Sequence, residues 1–199
     1  MILNLLLAII LAKVKGYRII SLRKAYSLYP FAIIELFYLF LQINVLLRNY
    51  TFIPYTAIIN SIYLYTLLLP MLAYRLYKPG IMGSVLIVIG TSLNQFVMSQ
   101  NGGKMPVYAT LTKITGYYDA SAIQVADRIH IIGDANTKYK FLTDFIDVGF
   151  SVLSIGDILI HCFITIIIYY VIKEININPK YQKKQEKELL YGTNEIYPL

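Results

Sequence analysis

Long apolar runs separated by short basic or polar joints dominate this chain. Five can be drawn, from Met1 to about Val14, Leu28 to Leu47, Tyr55 to Tyr74, Gly80 to Gln100 and Phe150 to Ile172. Each is predicted to be helical by its length. The first is short for a span and relies on Lys13 and Lys15 to reach the interface. Positive charge follows that run instead of preceding it, and no small-residue cleavage site is evident, which argues against a secretory signal peptide. The pattern predicts an all-α membrane protein: a five-helix transmembrane bundle over residues 1–172, with one long outer loop at 101–149 between spans four and five. A basic, polar tail over 173–199 follows.

The runs are not uniform around their circumference. At about 100° per residue, Gly83, Ser84, Gly90, Thr91, Asn94, Gln95, Met98 and Asn101 share one half of the fourth run. Val85, Leu86, Ile89, Leu93, Phe96 and Val97 share the other, so one half is expected to meet helices and the other lipid. In the fifth run Ser151, Ser154, Asp157, His161 and Thr165 follow spacings of three or four and form one polar stripe. Drawn from Phe150, that run places Asp157 about two turns in and His161 about one turn deeper. An intramembrane carboxylate beside a histidine could relay protons, ligate a cation or clamp the loop above it, and a structural reading has it tie the amides of Asn101, Gly102 and Gly103. Glu35, near the inner end of the second run, is expected to pair with the basic block or with Arg75. Gln42, Asn44, Asn60 and Thr66 add polarity, and Pro70 is positioned to kink the third run. A polar cluster including Glu35, Asn94, Gln95 and His161 could line a cavity in the bundle.

Composition sharpens the class. Charged residues make up only 15% of the chain and the mean hydropathy is +0.58, well outside the range of soluble domains. The net charge of +7 does not indicate nucleic acid, because the cations cluster beside apolar runs and are better explained by topology and lipid headgroups. Lys13, Lys15, Arg18, Arg23 and Lys24, with no acid among them, mark the cytoplasmic side. That choice puts the N-terminus outside, Arg75 and Lys78 inside, and the tail with Lys180, Lys183, Lys184 and Lys187 inside. Tyr29, Tyr50, Tyr55, Tyr74, Tyr77, Tyr169 and Tyr170 fall near span ends as interface anchors, while tryptophan is absent. The richness in Ile, Lys, Asn and Tyr points to an AT-rich bacterial genome, and the expected location is a bacterial plasma membrane. The single cysteine, Cys162, excludes an intrachain disulfide.

The outer loop carries the most distinctive chemistry. Asn101-Gly102-Gly103 is expected to end the fourth helix in a left-handed cap and to offer amides as an anion nest, while Met105-Pro106 folds back as an apolar plug. Apolar positions between Ser121 and Gly133 suit a short amphipathic element. Asp134 and Asn136 resemble the start of a calcium loop, but the glycine and glutamate such a loop needs are missing. His130, Asp134 and Asp144 lack zinc spacing, and no nucleophile elbow or phosphate loop occurs. No cofactor or metal is therefore expected, and catalysis has no positive signal. The tail mixes Lys183, Lys184 and Lys187 with Glu186 and Glu188, suiting anionic headgroups or a partner.

The order Asn101-Gly102-Gly103-x-Met105-Pro106-Val107, His130, Thr137, Phe141-Leu142-Thr143-Asp144 and Ser154-Ile155-Gly156-Asp157 resembles a bacterial family of small membrane proteins known only as a domain of unknown function. The resemblance covers nearly the whole chain. It implies five spans and no known activity, and it attaches to Asn101, Gly103, Met105, Pro106, His130, Thr137, Asp144, Gly156 and Asp157. His161 stands outside it.

Three functions follow from these residues. The first is a non-enzymatic membrane protein whose outward polar site, made from the Asn101–Val107 loop and Asp157, binds or passes a small polar solute or ion. The second is a structural or accessory subunit with a membrane-protein partner, in which Asn101–Val107 and Ser154–Asp157 only latch the loop to the bundle. The third is an enzyme acting on a lipid-linked substrate, which requires His130, Asp144 and Asp157 to converge. In all three the partner common to the readings is the lipid bilayer.

Overall fold

A computed structural model describes residues 2–49, 51–52, 55–117 and 129–181. Tyr50, Asp119, Asp127, Arg128, most of the Ser121–Gly133 segment, the side chain of Asn60 and the tail beyond Tyr181 lie outside the described residues. The chain is mostly helical with little sheet. Its main helices are α1 (Ile2–Val14), α2 (Tyr29–Leu46), α3 (Thr56–Thr66), α4 (Leu68–Ala73), α5 (Tyr77–Gln100), α6 (Leu111–Ile114) and α7 (Ile155–Ile177). Four short strands decorate the α5–α7 connection: β1 (Met105–Val107), β2 (His130–Ile132), β3 (Ile146–Asp147) and β4 (Val152–Leu153).

Among the described residues three helices are long and apolar enough to cross a membrane: α2 with its preceding turn, α5 and α7. Helix α1 and the α3–α4 stretch are shorter. The interruption between α3 and α4 has a local cause. Pro70 has no N–H to offer Thr66 and its ring crowds that carbonyl, so the helix restarts after Leu67. The last helix begins five residues after the start of the apolar run. Val152 and Leu153 instead pair with Asp147 and Ile146 in an antiparallel hairpin, which satisfies their backbone before the helix begins.

Helix α7 is the centre of the bundle. Within its apolar window 44% of the residues are buried, against 17% for α2 and for α5, so α7 faces protein where the other two present most of their surface outward. Its Ile164, Ile167, Ile168, Val171 and Ile172 pack with Ala8 and Ala12 of α1 and with Phe31, Tyr63, Leu67 and Leu76. The hydroxyl of Thr165 donates to the Asn4 carbonyl at 3.1 Å, tying α1 to the same helix. Helix α5 runs antiparallel to α7, with Gly83 against Phe163 and Gly90 against the Gly156 carbonyl. In lipid such packing supplies association energy that hydrophobicity cannot.

The contact arc of α5 differs from the expected one. Val97, assigned to the lipid half, is wholly buried, whereas Ser84 and Gln95, assigned to the packing half, are exposed. The buried line runs Gly80, Gly83, Gly90, Val97, with Asn94 half-buried beside it, a narrower stripe than composition suggests because glycine, not polarity, lets α7 approach.

Candidate functional site

Asp157 sits in the first turn of α7, not two turns into a span, because the helix starts at Ile155. Ser154 is its N-cap and Asp157 its third residue, and the two form a reciprocal capping box. The Asp157 amide donates to Ser154 Oγ at 2.9 Å, and the Ser154 amide donates to Asp157 Oδ2 at 3.0 Å. Asn94 of α5 completes the figure. Its Nδ2 donates to Asp157 Oδ1 at 2.9 Å, and its Oδ1 accepts the Ser154 hydroxyl at 2.9 Å. The result is a closed ring of hydrogen bonds among three residues, two of its sides between side chains and the third through the Ser154 and Asp157 amides, with Ser154 wholly buried. Gly156 makes it possible: a Cβ there would overlap Asn94 Oδ1 and meet the Gly90 carbonyl at 2.6 Å.

The Asn101 loop is a separate construction. Gly102 (φ 69°) and Gly103 (φ 80°) take the left-handed conformation, while Asn101 does not (φ −123°). The amides of Asn101 and Gly103 both donate to the Met98 carbonyl, at 3.0 and 2.8 Å. The anion nest expected here is thus partly spent on closing α5. The Asn101 side chain holds the loop: Nδ2 donates to the carbonyls of Val97 (2.9 Å) and Lys138 (3.1 Å), and Oδ1 accepts the Lys138 amide (3.0 Å). Asp157 bonds none of Asn101, Gly102 and Gly103. The expected joint between the two motifs is replaced by two latches, Asn94 with Ser154–Asp157 and Asn101 with Lys138.

Met105 and Pro106 are buried, as the plug requires, within β1. That strand pairs in parallel with β2, placing Met105 opposite His130 and Pro106 opposite Ile131. On its other side the Asp144 amide donates to the Pro106 carbonyl (3.1 Å) and the Tyr108 amide to the Asp144 carbonyl (2.8 Å). The backbone therefore brings His130 and Asp144 together across β1, with Nε2 of His130 3.3 Å from Oδ2 of Asp144. Asp144 is 4% exposed. Thr137 closes a tight turn, its hydroxyl donating to Asp134 Oδ1 (3.1 Å) and accepting the Asp134 amide (2.9 Å). Asp134 also accepts the Asn136 amide at 2.9 Å, so the supposed calcium-loop pair forms an Asx turn.

A model of DUF5317, a family of unknown function, matches residues 19–169. The chain belongs to this family. An uncharacterized protein of Thermotoga maritima is 31% identical over 119 residues, which is 57% of this chain and 62% of that protein. The aligned region thus leaves more than a third of the relative uncovered. No solved structure matches the chain. The family match takes in every latch residue just described and stops short of α1 and of the chain beyond Tyr169.

The other polar positions fall elsewhere. Glu35 forms no ion pair with Arg75 among the described residues; it lies beside the buried Tyr63. His161 does not hydrogen-bond Asp157. It lines a cavity of about 40 Å³ with Asn4, Tyr38, Gln42 and Ser151. Two anchors were not singled out from the sequence. Asp147 accepts the amides of Thr110 (2.6 Å) and Thr112 (2.9 Å) and the Thr112 hydroxyl (2.8 Å) on Oδ2, and the Gly149 amide (2.9 Å) on Oδ1. Burial opposes its ionisation, but the Thr112, Gly149 and Thr110 amides outweigh that and hold the carboxyl down at about 2. Asn176 is the second. Its Oδ1 accepts the Arg18 amide (2.8 Å) and its Nδ2 donates to the Arg18 carbonyl (3.2 Å), tying the basic segment to the end of α7. The only local signals were a Thr-x-Thr pair and a lone asparagine, too common to single out.

Proposed function

We propose that the chain is a structural or accessory membrane protein, its loop cap fixed on the outer end of a five-segment bundle as a rigid surface for a membrane-protein partner. One observation carries this reading: the oxygens and hydrogens of the Asn94–Ser154–Asp157 ring are turned on each other, so the residues best suited to bind a solute are occupied in holding the cap. Helices α1 and α3–α4 are the fourth and fifth segments, with the N-terminus outside and the C-terminus at the cytoplasmic face. The basic residues between α1 and α2 support that orientation. An enzyme reading has less support, because Asp157 bonds neither His130 nor Asp144.

The test is complementation of a deletion strain. Asp157→Asn keeps the shape and most hydrogen bonds and removes the charge. A scaffold predicts wild-type complementation by this variant and failure of Asp157→Leu in step with loss of folding. A folded Asp157→Asn protein that fails to complement would sink the proposal.

A second reading, passage of a proton or small ion, is supported by the His161 cavity, which has room for one or two waters and polar groups to hold them. His161→Phe would abolish proton flux in reconstituted vesicles under that reading. Under the scaffold reading it leaves the vesicles as tight as wild type.

A further inference from the structure

At the opposite end of the α5–α7 pair from the cap, the α4–α5 turn and the end of α7 enclose an open cavity of about 560 Å³. Four cations line it, Arg75 from the turn, Lys78 from the first turn of α5, and Lys173 and Lys180 from α7 and the segment after it, against one carboxylate, Glu174. Among the described residues none of the four forms an ion pair. Glu174 is engaged locally, accepting Asn178 Nδ2 at 2.6 Å. Four like charges around one cavity repel each other and favour an anion between them.

The walls are preformed. After Asn178 the chain folds back so that the Tyr181 ring meets Tyr74 edge-on at 5.2 Å, and its hydroxyl reaches the Ala73 carbonyl at 3.4 Å. Lys173 Nζ stands 5.3 Å from the Tyr170 ring, and Lys180 Nζ 5.8 Å from that of Tyr181. Rings thus hold the ammonium groups without neutralising them. Arg75 occupies a left-handed backbone position (φ 54°) where glycine would be relaxed, at a cost of about 1 kcal/mol. Helix α5 begins here with no side chain capping its first turn, which adds the positive end of its dipole.

We propose that this cavity is a binding site for a phosphate-bearing anion, supplied either by the headgroup of an anionic lipid or by a soluble phosphate. It needs no contribution from the cap or its latches. The tyrosines and the lysine stems suit a headgroup at the membrane interface, and the guanidinium of Arg75 suits two phosphate oxygens at once.

The experiment uses the full chain purified in detergent, with native mass spectrometry reading retention of phosphatidylglycerol against phosphatidylcholine. Wild type is expected to prefer phosphatidylglycerol. Arg75→Gln with Lys173→Gln is expected to weaken it about 25-fold, at about fivefold for each charge near an anionic group. Lys78→Gln with Lys180→Gln, at exposed positions that folding does not need, is expected to weaken it comparably. Glu174→Gln is expected to tighten binding severalfold. Inorganic phosphate at millimolar concentration separates the sources: competition with the lipid identifies soluble phosphate as a ligand, and its failure to compete identifies the headgroup. Equal retention of the two lipids by wild type, or unchanged binding in both double variants, would overturn the proposal.

Discussion

Asn94 and Asp157, 63 residues apart in the chain, meet at 2.9 Å where α5 crosses the first turn of α7. The bond is one side of a ring that Ser154 closes, so a helix cap and an interhelical contact share the same atoms. Local and tertiary structure are coupled there: α7 cannot be displaced from α5 without also loosening its own N-terminus.

Asp157→Leu removes the Asn94 bond and half the capping box. Interhelical hydrogen bonds in membranes contribute about 0.6–2 kcal/mol, and a cap about 1 kcal/mol. A loss of roughly 2 kcal/mol is expected for Leu and less than half of that for Asn. Thermal unfolding in detergent, followed by circular dichroism, measures both. Asn94→Leu should be strongly non-additive with Asp157→Leu, since each removes the same bond. Additive losses would show that the ring is not a unit.

Gly156→Ala should be worse than either. Its methyl group would overlap Asn94 Oδ1 and lie 2.6 Å from the Gly90 carbonyl, backbone that cannot move alone. Overpacking of this kind costs about 1–3 kcal/mol or more, and the α5–α7 spacing must open. Ser84→Ala, at an exposed position of α5, is the matched control and should shift stability by no more than about 0.5 kcal/mol. Expression yield and melting temperature of the two variants decide the matter.

His130 and Asp144 brace β1 from both sides, and Asp144 is almost wholly buried. Asp144→Asn keeps the size but removes the charge that faces the imidazole. Amide exchange at Met105, Val107, Tyr108 and 130–132 should accelerate about fivefold, as a contact of roughly 1 kcal/mol is lost from local opening. Exchange in α7 should not change. Acceleration spread over the whole chain would mean that the cap and the bundle unfold together.

The long apolar elements were legible because length and hydropathy alone specify a helix in lipid. The α2 and α5 boundaries fall within three residues of those expected. The residues 150–154 were misread because an apolar pair such as Val152 and Leu153 has no periodicity of its own, and only pairing with Ile146 and Asp147 makes it a strand. That error carried Asp157 too deep. Asn94, Asn101, Ser154 and Asp157, whose side chains make the two latches, stand out in the sequence, but their partners do not. Which asparagine meets which carboxylate is decided by where two glycines let helices touch, a tertiary fact. Asp147 was hidden for the same reason: its ligands lie 35 and 37 residues away.

Asp147 gives the cap a defined acid sensitivity. Its carboxyl falls from the ordinary 3.8 to about 2 in the folded protein. Burial works against that shift, and the Thr112, Gly149 and Thr110 amides produce it. A carboxyl depressed by folding binds fewer protons folded than unfolded, so its stabilisation is fully present above about pH 4 and is lost as pH falls through about 2. The cap should therefore loosen between pH 4 and 2, with Gly149 and the 110–112 amides exposed first. Limited digestion with pepsin, active throughout that range, should cut near residues 110–115 increasingly as pH is lowered. Asp147→Asn, which cannot ionise, should already be cut at pH 4 and show a flatter dependence. If wild type and variant are cut in parallel from pH 4 to 2, another carboxylate controls the acid response and the assignment to Asp147 fails.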